Sequence, residues 1–470
     1  MSDLTAPNKL FAKSLRIFPK RVWGRFRQVK WISMIVLLGI YYLAPFLRWD
    51  RGIHAPDQAI LIDMAHQRAY FFFIEIWPQE VVYLAGVLIL SALALFFVTS
   101  LFGRVWCGYA CPQTVWTDLF VWVERIVQGD RTKRQKLHNA PWSLEKIGKM
   151  TLTHALWLVI GLFTGGAWVF YFNDAPTLLE NIFHLDVPWS VLGWILSLTF
   201  STYLFAGFAR DQVCKFMCPY ARFQSAMFDK NTLIIGYDET RGEARGKHKK
   251  GDSWEGRGHC IDCTACVQVC PMGIDIRDGL QMECIACGLC IDACDNVMEK
   301  LELPKDLIRY DTPFNQEQRA SNSSEKSSLL RARTVYYTIL LSLVSAVILY
   351  GLVNRSSLEM HVLRDRNPLF VMLSDGTVRN GYDIKILNKT HDDQTYSLTV
   401  DGMPELAVRV QGYGETSATN LPVFADSVGH FRVFITAPKP GQKRSPVVFT
   451  LTNTATDERD RYEGLFVSEK

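Results

Sequence analysis

The sequence predicts a multi-domain membrane protein with a five-span α-helical transmembrane unit, a cysteine-rich insert and a C-terminal all-β sandwich. Three observations carry that prediction. Apolar residues gather in five runs of about 20, the length a helix needs to cross a bilayer core. All twelve cysteines fall between Cys107 and Cys294. The tail beyond residue 354 alternates short apolar stretches with turn residues and holds no cysteine.

The five runs are Trp31–Leu47, Val82–Phe102, Leu152–Phe172, Trp189–Phe208 and Val335–Val353. A buried globular helix is a poor alternative, because Leu84–Leu101 and Val335–Val353 carry no charge. Trp31, Trp77, Trp189, Tyr336 and Tyr337 stand at span ends, as interfacial aromatic belts do. Basic residues flank the runs, so the net charge of +4 is an orientation signal rather than a nucleic-acid patch. Eight lysines and arginines precede the first span and eight follow the second in Gly103–Met150, against three in Arg48–Glu80 and none in Asn173–Pro188. The expected topology is multi-pass in a bacterial inner membrane, with the N-terminus cytoplasmic and the C-terminus periplasmic. Arg48-Trp49-Asp50 follows the first run where a signal peptide would carry small residues, so that run reads as an anchor.

Four domains follow. Residues 1–228 form a four-span membrane unit, and 229–333 a cytoplasmic insert ending in the polar linker Asn315–Ser328. Residues 334–353 are the fifth helix. Residues 354–470 hold short runs with two-residue alternation at 383–388, 395–400, 406–410, 431–435, 447–451 and 462–467. Turns such as Asp375-Gly376, Asp401-Gly402 and Lys439-Pro440-Gly441 separate them, which suits an immunoglobulin-like sandwich without an intersheet disulfide. Gly412-Tyr-Gly414 lacks a third glycine and a following helix, so it is no nucleotide loop.

The insert carries the strongest motif. Cys260-Ile-Asp-Cys263-Thr-Ala-Cys266-Val-Gln-Val-Cys270-Pro271 is followed by Cys284-Ile-Ala-Cys287-Gly-Leu-Cys290-Ile-Asp-Ala-Cys294. This is the bacterial ferredoxin spacing written twice, in which the fourth cysteine of each run serves the other cluster. The fold class of the insert is therefore a bacterial-type 2[4Fe-4S] ferredoxin. Cluster one is expected on Cys260, Cys263, Cys266 and Cys294, and cluster two on Cys284, Cys287, Cys290 and Cys270. Asp295 stands where the second run would carry proline, a departure that leaves the ligands intact. Zinc favours two separated Cys-x2-Cys pairs, and a cytoplasmic segment disfavours disulfides.

Four cysteines remain. Phe102-Gly-Arg104 leads to Cys107-Gly-Tyr-Ala-Cys111-Pro112, and Phe208-Ala-Arg210 leads to Cys214-Lys-Phe-Met-Cys218-Pro219. The echo places the same Cys-x3-Cys-Pro device after the second and fourth spans, on one face of the membrane. Proline suits the first position of a helix, so Cys111 and Cys218 are expected to cap new helices. Pro112–Val127 reads as interfacial, with Val115, Trp116, Leu119, Phe120, Val123 and Ile126 on one face. Cysteines at helix N-termini favour thiolate. Cys107, Cys111, Cys214 and Cys218, with Met217 as an added thioether, suit copper as Cu(I), while a dithiol redox pair and plain packing remain open. His154 in the third run reads as a haem ligand or a hydrogen-bonded bundle residue. Met360-His361 reads as a copper contact or a membrane flank, and Arg241–Lys250 as a solvated loop near anionic lipid.

The chain resembles the CcoG family, also called FixG or RdxA, the accessory polyferredoxins of cbb3-type cytochrome c oxidase. The resemblance rests on Cys107-Gly-Tyr-Ala-Cys111-Pro-Gln-Thr-Val-Trp, Cys214-Lys-Phe-Met-Cys218-Pro-Tyr-Ala-Arg-Phe-Gln and Gly236-Tyr-Asp-Glu-Thr-Arg-Gly-Glu-Ala-Arg-Gly246, and departs at Ala244, where the family usually has proline. It implies a membrane cupric reductase that serves assembly of the oxidase copper centre. It also implies as partners copper ions, cbb3-type oxidase subunits and copper-handling proteins. A quinol-linked electron conduit and a non-enzymatic assembly scaffold are the alternatives. No nucleic acid is expected, the electron donor is unknown, and the oligomeric states allowed include a homodimer.

Overall fold

The computed structural model describes residues 16–52, 55–248, 253–321, 323, 330–413, 420–439 and 442–469. The end of the run Arg241–Lys250, part of the linker Asn315–Ser328, Gly414 and the Pro440-Gly441 turn lie outside the described residues.

Five described helices are long and apolar enough to cross a membrane: Arg25–Phe46, Pro78–Phe102, Leu144–Phe170, Trp189–Met217 and Ala332–Val353. They overlap the five runs but start earlier in four cases. The first begins at Arg25 rather than Trp31 because Arg27 and Lys30 are buried beside Asp118 instead of marking a wet boundary. The third starts at Leu144, where the Ser143 hydroxyl accepts the Lys146 N–H at 3.2 Å. The fourth runs on to Met217 through two π-helical stretches, Tyr203–Ala209 and Val213–Met217. Gly161 and Gly165 let the third span close on the fourth: a Cβ at 165 would lie 2.6 Å from the Ile195 carbonyl oxygen.

The helix Pro112–Gln128 departs from the expected apolar stripe. Val115, Phe120 and Val123 are buried, but so are Asp118 and Glu124, whereas Ile126 is 62% exposed. Glu124 explains the rotation. Fully buried, it takes Arg134 at 2.8 Å, Arg210 at 2.7 Å and Arg16 at 3.1 Å. A carboxylate with three guanidinium partners is satisfied only inside.

Strands are numbered in chain order. β1 (Ile60–Asp63), β2 (Arg68–Phe71) and β3 (Ile74–Ile76) form an antiparallel meander in the segment Arg48–Glu80 between the first two spans. β4 (Ile234–Tyr237) pairs with β5 (Ile308–Asp311) and closes the cysteine-rich insert. A helix, Pro313–Ala320, occupies the start of the expected linker, with the Thr312 hydroxyl accepting the Asn315 N–H at 3.1 Å.

The tail holds β6 (Leu358–Arg364), β7 (Val371–Met372), β8 (Val378–Asn388), β9 (Gln394–Asp401), β10 (Ala407–Val410), β11 (Leu421–Val423), β12 (Ser427–Ala437), β13 (Arg444–Asn453) and β14 (Arg459–Val467). One sheet runs β10-β12-β8-β6 with β7 beside β8, and the other runs β11-β9-β13-β14. Inward residues of both, among them Tyr382, Ile384, Val433, Ile435, Phe449, Leu451 and Phe466, make one core. Alternation separates Met360, inside that core, from His361, exposed on the opposite face of β6. The two do not converge on a copper site. Buried Asn380 crosses the sandwich to donate to the Val467 carbonyl at 2.9 Å, and Tyr382 does so to Leu465 at 3.0 Å.

By compactness the chain divides into two units. One comprises the residues up to Leu47 with Ala59–Ile348, and the other Arg48–Gln58 with Leu349–Lys470. An isolated Leu358–Lys470 fragment is expected to give a β-rich circular dichroism spectrum and one cooperative melt. Phe449→Ala should lower its stability by about 3–5 kcal/mol in denaturant titration. A non-cooperative wild-type melt would show that the core needs the rest of the chain.

Candidate metal centres

The two cysteine runs of the insert fold alike although their sequences differ. In each, the residues on either side of the second cysteine take positive φ: Asp262 (53°) and Thr264 (54°) around Cys263, Ala286 (50°) and Gly288 (72°) around Cys287. Non-glycine residues pay a steric penalty there, so the loop shape is imposed by what it must wrap. A helix follows each turn, Ala265–Val269 and Leu289–Lys300, carrying Cys266 and then Cys290 and Cys294.

The runs line two cavities of equal size. Cys260, Cys263, Cys266 and Cys294 line the first, with Tyr237 and Arg277 in its wall. Cys270, Cys284, Cys287 and Cys290 line the second among Ile235, Met272, Ile276 and Ile285, and Cys266 borders it as well. The fourth cysteine of each run thus crosses to the cavity of the other. Two interleaved sets of four cysteines, with sulfur as the only donor type, fit two [4Fe-4S] cubanes.

Burial pushes the thiols of Cys266, Cys284 and Cys294 up to about 12 and that of Cys270 to about 11. These four thiols are therefore protonated at neutral pH until iron displaces the protons. Backbone N–H groups of Met272, Gly273 and Ile274 point at the Cys270 sulfur, where they stabilise thiolate.

The second cluster loop is docked on the Cys107–Cys111 turn. A Cβ on Gly108 would fall 2.7 Å from the Ile285 carbonyl oxygen and 3.0 Å from the Cys287 Cα. Only glycine admits that approach. The Tyr109 hydroxyl donates to the Cys287 carbonyl at 3.0 Å, and the Tyr310 hydroxyl donates to that of Ala286. Buried Arg104 donates to the carbonyls of Met282 and Ala221. On the other side, Asp292 accepts the Phe26 N–H at 3.1 Å and the Arg27 N–H at 2.7 Å.

Cys111 and Cys218 do stand at the N-caps of proline-initiated helices, Pro112–Gln128 and Pro219–Met227. The four half-buried thiols of Cys107, Cys111, Cys214 and Cys218 lie within electrostatic range of one another. Cys107 donates to the Oε1 of fully buried Gln224 at 3.5 Å. Burial first, then Cys111, pushes its thiol up to about 11. The expected thiolate at a helix N-terminus is thus overridden at Cys107, which precedes the capped helix and is desolvated. Cys107 and Cys214 also pack on the apolar patch formed by Val269, Met272, Ile285 and Cys287, beside Cys270. The four sulfurs do not gather into one tetrahedral set, but a two-coordinate Cu(I) requires only two of them.

The echo of Arg104 and Arg210 proves partial: Arg104 reaches the second cluster loop, whereas Arg210 turns to Glu124. Met217 is 57% exposed. His154 Nδ1 meets the Tyr203 hydroxyl at 3.0 Å, and its ring stacks on Phe208, the hydrogen-bonded role. Sequence reasoning missed Gly108, Tyr109, Gln224, Arg277, Asp292 and Tyr310. Gly108, Tyr109, Gln224 and Asp292 sat inside the cysteine motifs, but as spacers between or after the cysteines, whereas Arg277 and Tyr310 sat in none.

A 4Fe-4S binding domain matches residues 84–129, and a 4Fe-4S dicluster domain matches 209–313. The IG-like fold at the C-terminal of FixG matches 348–469. The nitrogen fixation protein FixG of Rhizobium meliloti is 47% identical over 97% of this chain and 93% of its own. Proteins RdxA and RdxB of Cereibacter sphaeroides are 46% and 47% identical, covering 94% and 98% of this chain and 93% and 98% of theirs. With five apolar helices, paired cysteine cavities and a C-terminal sandwich all matched along its length, this chain belongs to the FixG/RdxA family of membrane iron–sulfur electron-transfer proteins.

Proposed function

We propose that the protein is a membrane cupric reductase, taking electrons through two [4Fe-4S] clusters to Cu(II) held by the Cys-x3-Cys-Pro thiols. On this reading it serves assembly of a cbb3-type cytochrome c oxidase. The observation that carries it is the approach of Gly108 to Ile285 and Cys287, which puts Cys107 against the wall of the second cavity. Cys260, Cys263, Cys266 and Cys294 would hold one cluster, and Cys284, Cys287, Cys290 and Cys270 the other. Each cubane, when bound, stores and passes a single electron.

The residues around them set direction and access. Tyr109 fixes the Cys107–Cys111 turn on the second cluster loop through the Cys287 carbonyl. Gln224 holds the Cys107 thiol, and Arg104 lies beside both Cys107 and Cys284, where its charge favours added negative charge. Copper as substrate enters as Cu(II), accepts one electron and leaves as Cu(I). Thiolates bind Cu(I) in preference to Cu(II), so a pair of them makes that reduction more favourable. The apolar wall of Val269, Met272 and Ile285 keeps water from the path between.

Replacing both Cys214 and Cys218 by serine is expected to abolish cupric reduction while low-temperature EPR of the clusters stays as in wild type. A wild-type rate in that variant would remove copper from these thiols. Anaerobically purified protein should hold about eight iron atoms per chain, and Cys263→Ala should lose the first cluster's EPR signal preferentially. Stoichiometric zinc without labile sulfide would contradict the cluster assignment. The proposed topology puts the clusters in the cytoplasm and the sandwich in the periplasm. A phosphatase fused after Lys470 should therefore be active, and an inactive fusion beside an active cytoplasmic reporter would invert the orientation.

A further inference from the structure

A cavity of ≈ 220 Å³ opens between the residues leading into the first span, the helix Pro112–Gln128 and the end of the fourth span, with Cys214, Met272 and Ile285 in one wall. Its polar wall is dominated by cations. Arg16, Lys30, Arg125 and Arg210 line it, against Asp118 and Asp211. Each acid is already engaged, Asp211 by Lys215 at 2.9 Å and Asp118 by Arg27 at 2.8 Å. Glu124 behind the wall is shared by Arg16, Arg134 and Arg210. Asp130 accepts the backbone N–H of Arg21. Arg16, Arg27, Lys30, Arg125, Arg134 and Arg210 thus share three carboxylates, Asp118, Glu124 and Asp130.

Several donors of this set have nothing to donate to. The Lys30 side chain is only 5% exposed, its ammonium is 4.0 Å from the nearest Asp118 oxygen, and it makes no hydrogen bond among the described residues. Arg27 Nη2, Arg125 Nε and Arg134 Nε are buried without partners among the described residues. Burial holds the Arg125 guanidinium down to about 10. Buried cations in excess of their acids call for an anion.

We propose that this cavity binds a phosphate group carried on a small organic body, held by Lys30 and Arg125, with Arg210 adding charge while its nitrogens stay on Glu124 and Gly207. A guanidinium and an ammonium from two elements suit an oxyanion with several acceptors. The cavity exceeds a bare phosphate, and Ile17, Val121, Phe208 and Leu289 give the remainder an apolar surface. Two sources carry that chemistry. Lys30 and Phe208 belong to membrane-spanning helices, which brings an anionic phospholipid headgroup within reach; a soluble phosphate ester is the other. The site does not depend on the copper reading.

The test uses full-length protein with its clusters in place. Native mass spectrometry reads retained phosphatidylglycerol, and calorimetry on delipidated protein reads binding of glycerol 3-phosphate. One retained lipid per chain, or saturable glycerol 3-phosphate binding, supports the site and names the source. In either case Lys30→Gln with Arg125→Gln should weaken binding at least tenfold, Lys30→Arg should preserve it, and Thr117→Phe should block it by filling the cavity. Iron content reports on folding; where the double variant loses iron, Thr117→Phe decides. Failure of both probes to bind, or binding unchanged in Thr117→Phe, overturns the proposal.

Discussion

The contact between two backbones, at Gly108 on one side and Ile285–Cys287 on the other, is the constraint on which the rest of this molecule depends. A membrane unit and a ferredoxin module can share a chain without sharing a wall. Here they share one, because a residue without a side chain leaves room for a cluster loop to lie against a cysteine turn. The hydroxyls of Tyr109 and Tyr310 then lock that loop through the Cys287 and Ala286 carbonyls. Cys107 and Cys214 consequently face the same apolar patch as Cys270 and Cys287.

A second layer of order comes from charge. Glu124 gathers arginines from before the first span, from the helix Arg131–Asn139 and from the fourth span. Such a network gains little net stability over an apolar packing of equal volume, since desolvation offsets the attraction. What it supplies is geometry: only one arrangement of the three segments satisfies the carboxylate. Asp118 does the same for Arg27, which belongs to the first span. The bundle is thus positioned by two acids on one helix.

How much of this was legible depended on whether a signal is local. The ferredoxin ligands are written in spacing, and the crossing of Cys270 and Cys294 followed from the same pattern. The five spans were legible as apolar runs, but their starts were not. Charges such as Lys30 look like a water boundary until Asp118, far along the chain, is seen beside them. The stripe on Pro112–Gln128 misled for the same reason, because Glu124 is buried only in company of three distant arginines. In the tail, alternation revealed six strands, while β6 was hidden beside the fifth span and β7 and β11 were too short to show a period. Asp292, a spacer inside a cysteine run, and Tyr310 gave no signal of their contacts. A lone acid or phenol acquires its role only from the carbonyl or N–H that the fold brings to it.

Asp292 has a bearing on biogenesis. The first span is made first, yet its opening turn has no side-chain cap of its own: the N–H groups of Phe26 and Arg27 are satisfied by a carboxylate 265 residues further along. Asp292 itself lies between Cys290 and Cys294, on the helix that wraps the clusters. Until that helix has folded against it, the first turn of the first span keeps open donors. The start of the membrane unit is therefore completed by a residue of the cysteine-rich insert, and the two cannot finish folding separately.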